Sequence, residues 1–242
     1  MKAYSITDVG AKRKVNQDYV YCKEEPIGNL PNLFIVADGM GGHNAGDMAS
    51  KTCVECVSDF VRNNVDLKTP ISIIEKAVKI ANDEIISKAK SDEQYEGMGT
   101  TFVAATVLED VMYVANIGDS RLYVINDEIR QITEDHSLVE EMVKNGEIDK
   151  KNARFHPNKN IITRALGAAP EVMADFFEIS VKKNDIILMC SDGLSNMIDD
   201  EEILKMVTQG REDIVMTSLR LVAKANEYGG KDNISIVMVL VE

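Results

Sequence analysis

Three apolar runs of strand length each stop at an aspartate beside a glycine. They are Leu33-Phe-Ile-Val-Ala before Asp38-Gly39, Met112-Tyr-Val-Ala-Asn-Ile before Gly118-Asp119, and Asp185-Ile-Ile-Leu-Met-Cys-Ser before Asp192-Gly193. Runs of this length bounded by turn residues read as strands, each delivering an aspartate to a loop. A fourth aspartate, in Gly229-Gly230-Lys231-Asp232-Asn233, opens the last apolar run, Ile234 to Val241. Adjacent antiparallel strands would bring these four ends together.

Helical periodicity fills the intervals. Apolar residues recur at Met48, Cys53, Cys56, Val57, Phe60 and Val61, and again at Ile71, Ile74, Ala77, Val78, Ala81 and Ile85, which predicts two neighbouring amphipathic helices. A second pair is expected over 200–209 and 212–226, the latter from Val215, Leu219, Val222 and Ala223. Helices in pairs between groups of strands make a layered α+β pattern, not a strict βαβ repeat. The polar segment 137–161, with Gly146, Pro157 and many charges, reads as a surface flap. No repeat or linker divides the 242 residues, a length that one domain can span.

Composition removes several function classes. Forty acidic against twenty-seven basic residues leave a formal charge of −13, a field that repels nucleic acid and anionic membrane. The N-terminal residues carry no apolar core of signal-peptide length, and the run from Ile234 is too short to span a bilayer. The four cysteines, Cys22, Cys53, Cys56 and Cys190, do not make a disulfide framework in a chain this long. A cytoplasmic protein with free thiols is expected.

Asp38, Asp119, Asp192 and Asp232 carry the chemistry. Hard cations such as Mg²⁺ and Mn²⁺ take several oxygen ligands, and a two-metal site needs a carboxylate that bridges. The missing side chains of Gly39 and Gly193 would let a carbonyl approach a cation closely. Any single Asp-Gly pair is more often a turn; three such junctions, with a fourth aspartate before a strand, favour metal.

The ordered set Asp38-Gly-Met-Gly-Gly-His43 with Gly46 and Ala49-Ser50, Gly97-Met-Gly-Thr-Thr101, Asn116-Ile-Gly-Asp-Ser-Arg121, Ile162-Thr-Arg-Ala-Leu-Gly167, Ser191-Asp-Gly-Leu-Ser195 and Gly230-Lys-Asp-Asn233 resembles the successive motifs of bacterial metal-dependent protein phosphatases of type 2C. The resemblance runs from Asp8 to Val241. It implies a four-layer αββα sandwich, two antiparallel sheets flanked by pairs of antiparallel helices, with metals in a cleft at one end. It further implies that Asp38 bridges two ions (Mn²⁺ or Mg²⁺), that the Gly39 carbonyl binds the first, and that Asp192 and Asp232 bind the second. Asp119 with Asp192 would hold a third, weaker ion, and Asp18 would contact the cluster through water. Arg13 matches the phosphate-binding arginine, whose planar fork can hold two phosphate oxygens. The implied reaction is hydrolysis of phosphoserine and phosphothreonine in proteins by water activated between two cations, without a covalent intermediate. The partners implied are phosphoproteins, including a Ser/Thr kinase and its substrates, met by a monomer.

Two positions depart from the animal members: Met40 stands where they have histidine, a candidate general acid, and Gln17 where many have glutamate. The proton donor is therefore unassigned, with a metal-bound water the preferred candidate; His43 is near in sequence but sits among glycines, where bracing the loop is the favoured reading.

Other phosphatase and nucleotide signatures fail. Cys56 and Arg62 fit a Cys-x5-Arg spacing, but Cys56 lies on a helical apolar stripe instead of a phosphate-cradling loop. Cys53-x-x-Cys56 lacks a second pair to complete a zinc site. No aspartates are spaced for an aspartyl-phosphate mechanism, Gly230-Lys231 lacks the rest of a Walker loop, and Gly39-Met-Gly41 lacks the third glycine of a dinucleotide fingerprint. His136 and His156 have no ligand-like spacing and read as structural. A noncatalytic decoy of the same fold would be expected to have lost a ligand; Asp38, Asp192 and Asp232 are all present.

Overall fold

The computed structural model, which describes residues 1–42 and 45–242, consists of two stacked antiparallel sheets with helices on both outer faces. One sheet runs β1 (Lys2–Asp8), β11 (Ile234–Leu240), β10 (Ile186–Cys190), β7 (Arg121–Ile125) and β8 (Ile129–Gln131). The other runs β2 (Asp18–Lys23), β3 (Leu33–Met40), β5 (Phe102–Leu108), β6 (Val111–Ile117) and β9 (Asp175–Ser180), with β4 (Gly99–Thr100) paired to the end of β3. Helices α1 (Ala45–Asn63) and α2 (Pro70–Ser91) cover the second sheet; α6 (Asp200–Gly210) and α7 (Ile214–Glu227) cover the first. Three short α-helices, α3 (Leu138–Lys144), α4 (Lys150–Ala153) and α5 (Asp192–Ser195), and a 3-10 turn at Glu93–Tyr95 complete the fold among the described residues.

The period of two along β3 explains its unbroken apolar run. Phe34 and Val36 enter the layer between the sheets with Met189, Val237 and Val239, while Ile35 and Ala37 face the core formed with Val57, Ile74 and Ala77 of α1 and α2. Both faces are buried, so both must be apolar. The helices start where their caps dictate. Thr69 accepts a hydrogen bond from the Ser72 N–H ahead of Pro70, and Asp199 and Asp213 cap α6 and α7 in the same way, each satisfying an otherwise orphaned amide.

Two expectations are corrected. Asp38 lies within β3 and Asp192 opens α5, so only Asp119 and Asp232 sit in loops. Adjacent strands alone do not gather the four aspartates: β10 and β11 are neighbours, but β5 separates β3 from β6, and β3 belongs to the opposite sheet. The cluster forms because one end of each sheet faces the same recess. Segment 137–161 carries α3 and α4, and it exposes Phe155 (82% accessible), an apolar group the polar reading did not anticipate. Its two ends are closed at the base by hydrogen bonds from the Leu138 N–H to the Ile161 carbonyl (2.8 Å) and from the Thr163 N–H to the His136 carbonyl (2.8 Å).

Candidate metal centre

Strand register sets the first pair of carboxylates. Asp18, at the start of β2, lies directly across from Asp38 on β3, where opposed like charges repel. Asp38 is held through its backbone: its N–H donates to the Thr101 hydroxyl (2.9 Å), and its carbonyl accepts from the Thr101 N–H (2.9 Å) and the Thr100 hydroxyl (2.9 Å). The Asp38 backbone is thereby fixed without using the carboxylate oxygens. Asp18 is buried, and its Oδ2 accepts from the Ser191 hydroxyl at 2.7 Å. That bond crosses from one sheet to the other, 173 residues along the chain.

The second pair comes from the other sheet. Asp192 follows β10 and Asp232 precedes β11. Asp192 Oδ2 accepts from the Asn196 amide (2.8 Å) one helical turn on, and Asp38 lies within hydrogen-bonding reach of it. Asp232 accepts from its neighbour's amide and from Arg13 Nη2 at 2.8 Å. Asn233 braces the whole corner: its Oδ1 accepts from the Gln17 N–H (2.8 Å), and its amide donates to the carbonyls of Val9 (2.9 Å) and Val15 (3.0 Å). Asp119 is half-buried in the turn after β6, and the adjoining Ser120 hydroxyl shares a 2.7 Å hydrogen bond with Thr101.

Electrostatics records the crowding. Withdrawal from water, then the charges of Asp192 and Asp232, push the Asp18 carboxyl up to about 7 against two opposing serine hydrogen bonds. Burial and Asp232 raise Asp192 to about 6. Asp38 and Asp119 are held well above the carboxylate range by burial first, then by neighbouring aspartates. Each prefers a proton or a counter-charge.

Divalent cations fit this arrangement. Two carboxylate oxygens, Asp18 Oδ1 and Asp192 Oδ1, are buried with no hydrogen-bond partner, which in a protein interior calls for a cation or water. Every available donor is a hard oxygen. Among the described residues no three His, Cys, Asp or Glu side chains close on one point as a finished cage. The ring of spread carboxylates suits ions that keep part of their water shell.

The structure places the remaining expected site residues as follows. Gly39 is enclosed by backbone: an added Cβ would lie 2.0 Å from the Gly46 carbonyl oxygen and 2.5 Å from that of Gln17. Its smallness therefore serves strand-to-helix packing at the site's edge. Gly39→Ala is expected to lower stability by about 1–3 kcal/mol through overpacking, read as a reduced urea midpoint at unchanged slope. Gly193 is likewise closed in: an added Cβ would lie 1.9 Å from the Asn233 carbonyl oxygen. Arg13, half exposed, is paired with Asp232 instead of standing free. The Met40 side chain lies over Gly99 and holds no proton to give. His43 lies outside the described residues. Cys53 and Cys56 have thiols raised by burial and Arg62 pairs with Asp59, so neither half of a cysteine-phosphatase site exists.

Several contributors escaped the sequence reading. Ser191 and Asn233 were visible only as motif neighbours of aspartates. Lys159, from segment 137–161, donates to the Asn196 carboxamide oxygen at 2.9 Å, and its charge opposes the rise at Asp192. A cavity of about 730 Å³ runs from Asp119 and Asp192 to segment 137–161, lined on that side by Lys151, Arg154 and Lys159.

A family model described as "Protein phosphatase 2C" matches residues 10–223. The chain is 43% identical over 248 residues to a serine/threonine phosphatase, stp, of Listeria monocytogenes serovar 1/2a, covering 99% of this chain and 95% of that one. It superposes on the crystal structure of serine/threonine phosphatase Stp1 from Staphylococcus aureus with a TM-score of 0.92 at 33% identity, over 100% of this chain and 95% of that one. The catalytic domain of serine threonine protein phosphatase PstP, solved in complex with two manganese ions, matches with a TM-score of 0.86 at 30% identity, over 100% and 98%.

Proposed function

The chain belongs to the protein phosphatase 2C family, and from that premise we propose that this metal-dependent serine/threonine protein phosphatase works through the carboxylate ring at the sandwich end. Asp38, Asp192, Asp232 and the Gly39 carbonyl would hold two core ions, Mn²⁺ or Mg²⁺. Asp18 would contact them through water, and Asp119 with Asp192 would hold a third. The observation that carries this reading is the pair of orphaned oxygens on Asp18 and Asp192 inside a ring of mutually repelling carboxyls.

Bound cations would supply water of lowered pKa and neutralise charge on the phosphoryl oxygens. The chain's own residues set the geometry around that chemistry. Asp18 and Asp38 are fixed in register by β2 and β3, and Ser191 ties Asp18 to the sheet that carries Asp192 and Asp232. Arg13 stands at the rim, one nitrogen on Asp232, with a planar fork suited to a phosphate oxygen pair. Arg13 therefore orients the phosphate relative to the carboxylates. Phosphoproteins, including a Ser/Thr kinase and that kinase's substrates, are the proposed partners, met in the cytoplasm by a monomer, with segment 137–161 as the flap of a single domain.

The test is phosphate release from phosphoserine, phosphothreonine and phosphotyrosine peptides with Mn²⁺ and with chelator. Release from the first two that vanishes with chelator is expected. Arg13→Ala should raise KM roughly 10–100-fold with a smaller change in kcat, the weight of a charge-assisted hydrogen bond. Mn²⁺-loaded protein that released no phosphate from any of the three peptides would overturn the reading.

A further inference from the structure

His136 occupies a position that neither the metal chemistry nor the fold alone explains. It is 8% exposed and stands one residue before the flap. Its Nδ1 accepts from the Gly118 N–H at 3.0 Å, and its own N–H donates to the Gly118 carbonyl at 2.9 Å. Gly118 is the residue immediately before Asp119. Because Gly118 is the donor, Nδ1 must be unprotonated, so the proton sits on Nε2, facing Asp175 Oδ2 at 3.1 Å. Asp175 is held in turn by Arg164 (2.6 Å), which follows the flap's closing residues.

The turn that His136 grips has little freedom. Gly118 has φ +102°, and a Cβ there would lie 2.6 Å from Thr101 Cγ2. The Asn116 amide holds the Glu134 carbonyl at 2.9 Å from the other side. On the flap side, the His136 carbonyl accepts from the Thr163 N–H. One residue is thus bonded to the flap's far end through its carbonyl, to Asp119's turn through its amide and ring, and to β9 through Nε2. Burial lowers the ring's pKa, in keeping with the neutral tautomer.

We propose that His136 is a positioning residue that ties the base of the flap to the Asp119 turn, so that flap placement and cation binding at Asp119 are coupled. This rests on the reading of Asp119 as a cation ligand. Asparagine can place its carboxamide oxygen where Nδ1 sits, whereas glutamine can reach only the Nε2 position. The two substitutions therefore separate the tie from mere occupancy of the site.

The experiment compares wild type, His136→Asn, His136→Gln, His136→Phe and Asp119→Asn by MnCl₂ titration calorimetry, Gly118 amide hydrogen exchange and limited proteolysis of segment 137–161. In His136→Asn the Gly118 exchange and the weakest Mn²⁺ step stay within about twofold of wild type. His136→Gln and His136→Phe speed Gly118 exchange and weaken that step by roughly tenfold each, and Mn²⁺ no longer slows cleavage of the flap. Equal effects of Asn and Gln overturn the proposal, as does faster Gly118 exchange with an unchanged Mn²⁺ isotherm. If His136→Phe does not fold, the Asn and Gln pair decides alone. An unchanged isotherm in Asp119→Asn overturns the ligand reading and the coupling with it. Loss of the weak step there, with an unchanged isotherm in His136→Gln, overturns the proposal only.

Discussion

Asp38→Asn abolishes Mn²⁺-stimulated phosphate release while making the metal-free protein harder to unfold. The loss of rate is roughly a thousandfold or more, equivalent to about 4 kcal/mol of transition-state stabilisation, because the proposed bridging carboxylate becomes an amide. The gain in stability has a separate cause. Asp38 faces Asp18 across the strand pair and lies within reach of Asp192, and its carboxyl is held well above its ordinary range by burial and by the charges of Asp18, Asp192, Asp119 and Asp232. Asparagine keeps the shape and removes the ionisation. At pH 8, where the wild-type ring is pressed to ionise, the substitution is expected to add about 1–2 kcal/mol, or roughly 2–8 °C in Tm for a chain of this size. Calorimetric scans and a phosphopeptide assay on the same preparation check both halves. A variant equally inactive but less stable than wild type would contradict the crowded-ring account.

The second large effect is the pH dependence of the metal-free protein and its removal by Mn²⁺. Asp18 and Asp192 have folded-state values of about 7 and about 6 against an ordinary 3.8. Below about pH 4 both are protonated whether folded or unfolded, and they impose no cost. As pH rises the unfolded chain releases its protons first, so stability falls through pH 6 and 7 and levels off above. Metal-free Tm should therefore decline between pH 5 and 8. Mn²⁺ supplies the missing counter-charge, and at a thousandfold over its Kd contributes about 4 kcal/mol, roughly 8–16 °C, with the largest gain at the alkaline end. A metal-free Tm that rose over this range, or a Mn²⁺ shift largest at pH 5, would refute the argument.

What could be read in the sequence follows from what is local. The strand at 33–40 was legible because both of its faces are buried, and the two helix pairs because one face of each is apolar. Their placement on opposite sheets came from the resemblance and not from periodicity, and the strand registers, such as Asp18 against Asp38 and Asp8 against Ile234, were not legible. The aspartates announced themselves through abrupt Asp-Gly junctions. Their mutual geometry did not, and the sequence placed Asp38 and Asp192 in loops where the structure has a strand and a helical turn. Arg13 was singled out for phosphate, but its pairing with Asp232, 219 residues away, leaves no mark in spacing. His136 read as a structural residue, and it is bonded to both the flap base and the Asp119 turn.

The bond from the Gln17 amide to Asn233 spans 216 residues, and β1 finds its partner only in β11. No stretch of chain that stops short of Asp232 contains the whole carboxylate ring. Emerging from the ribosome, the aspartates of β2 and β3 must wait, protonated or solvated, until Asp232 has been made. Closing so long a loop is slow. A chain that stopped short of Asp232 would also lack β11, the strand between β1 and β10, and so would lose the first sheet together with the proposed site.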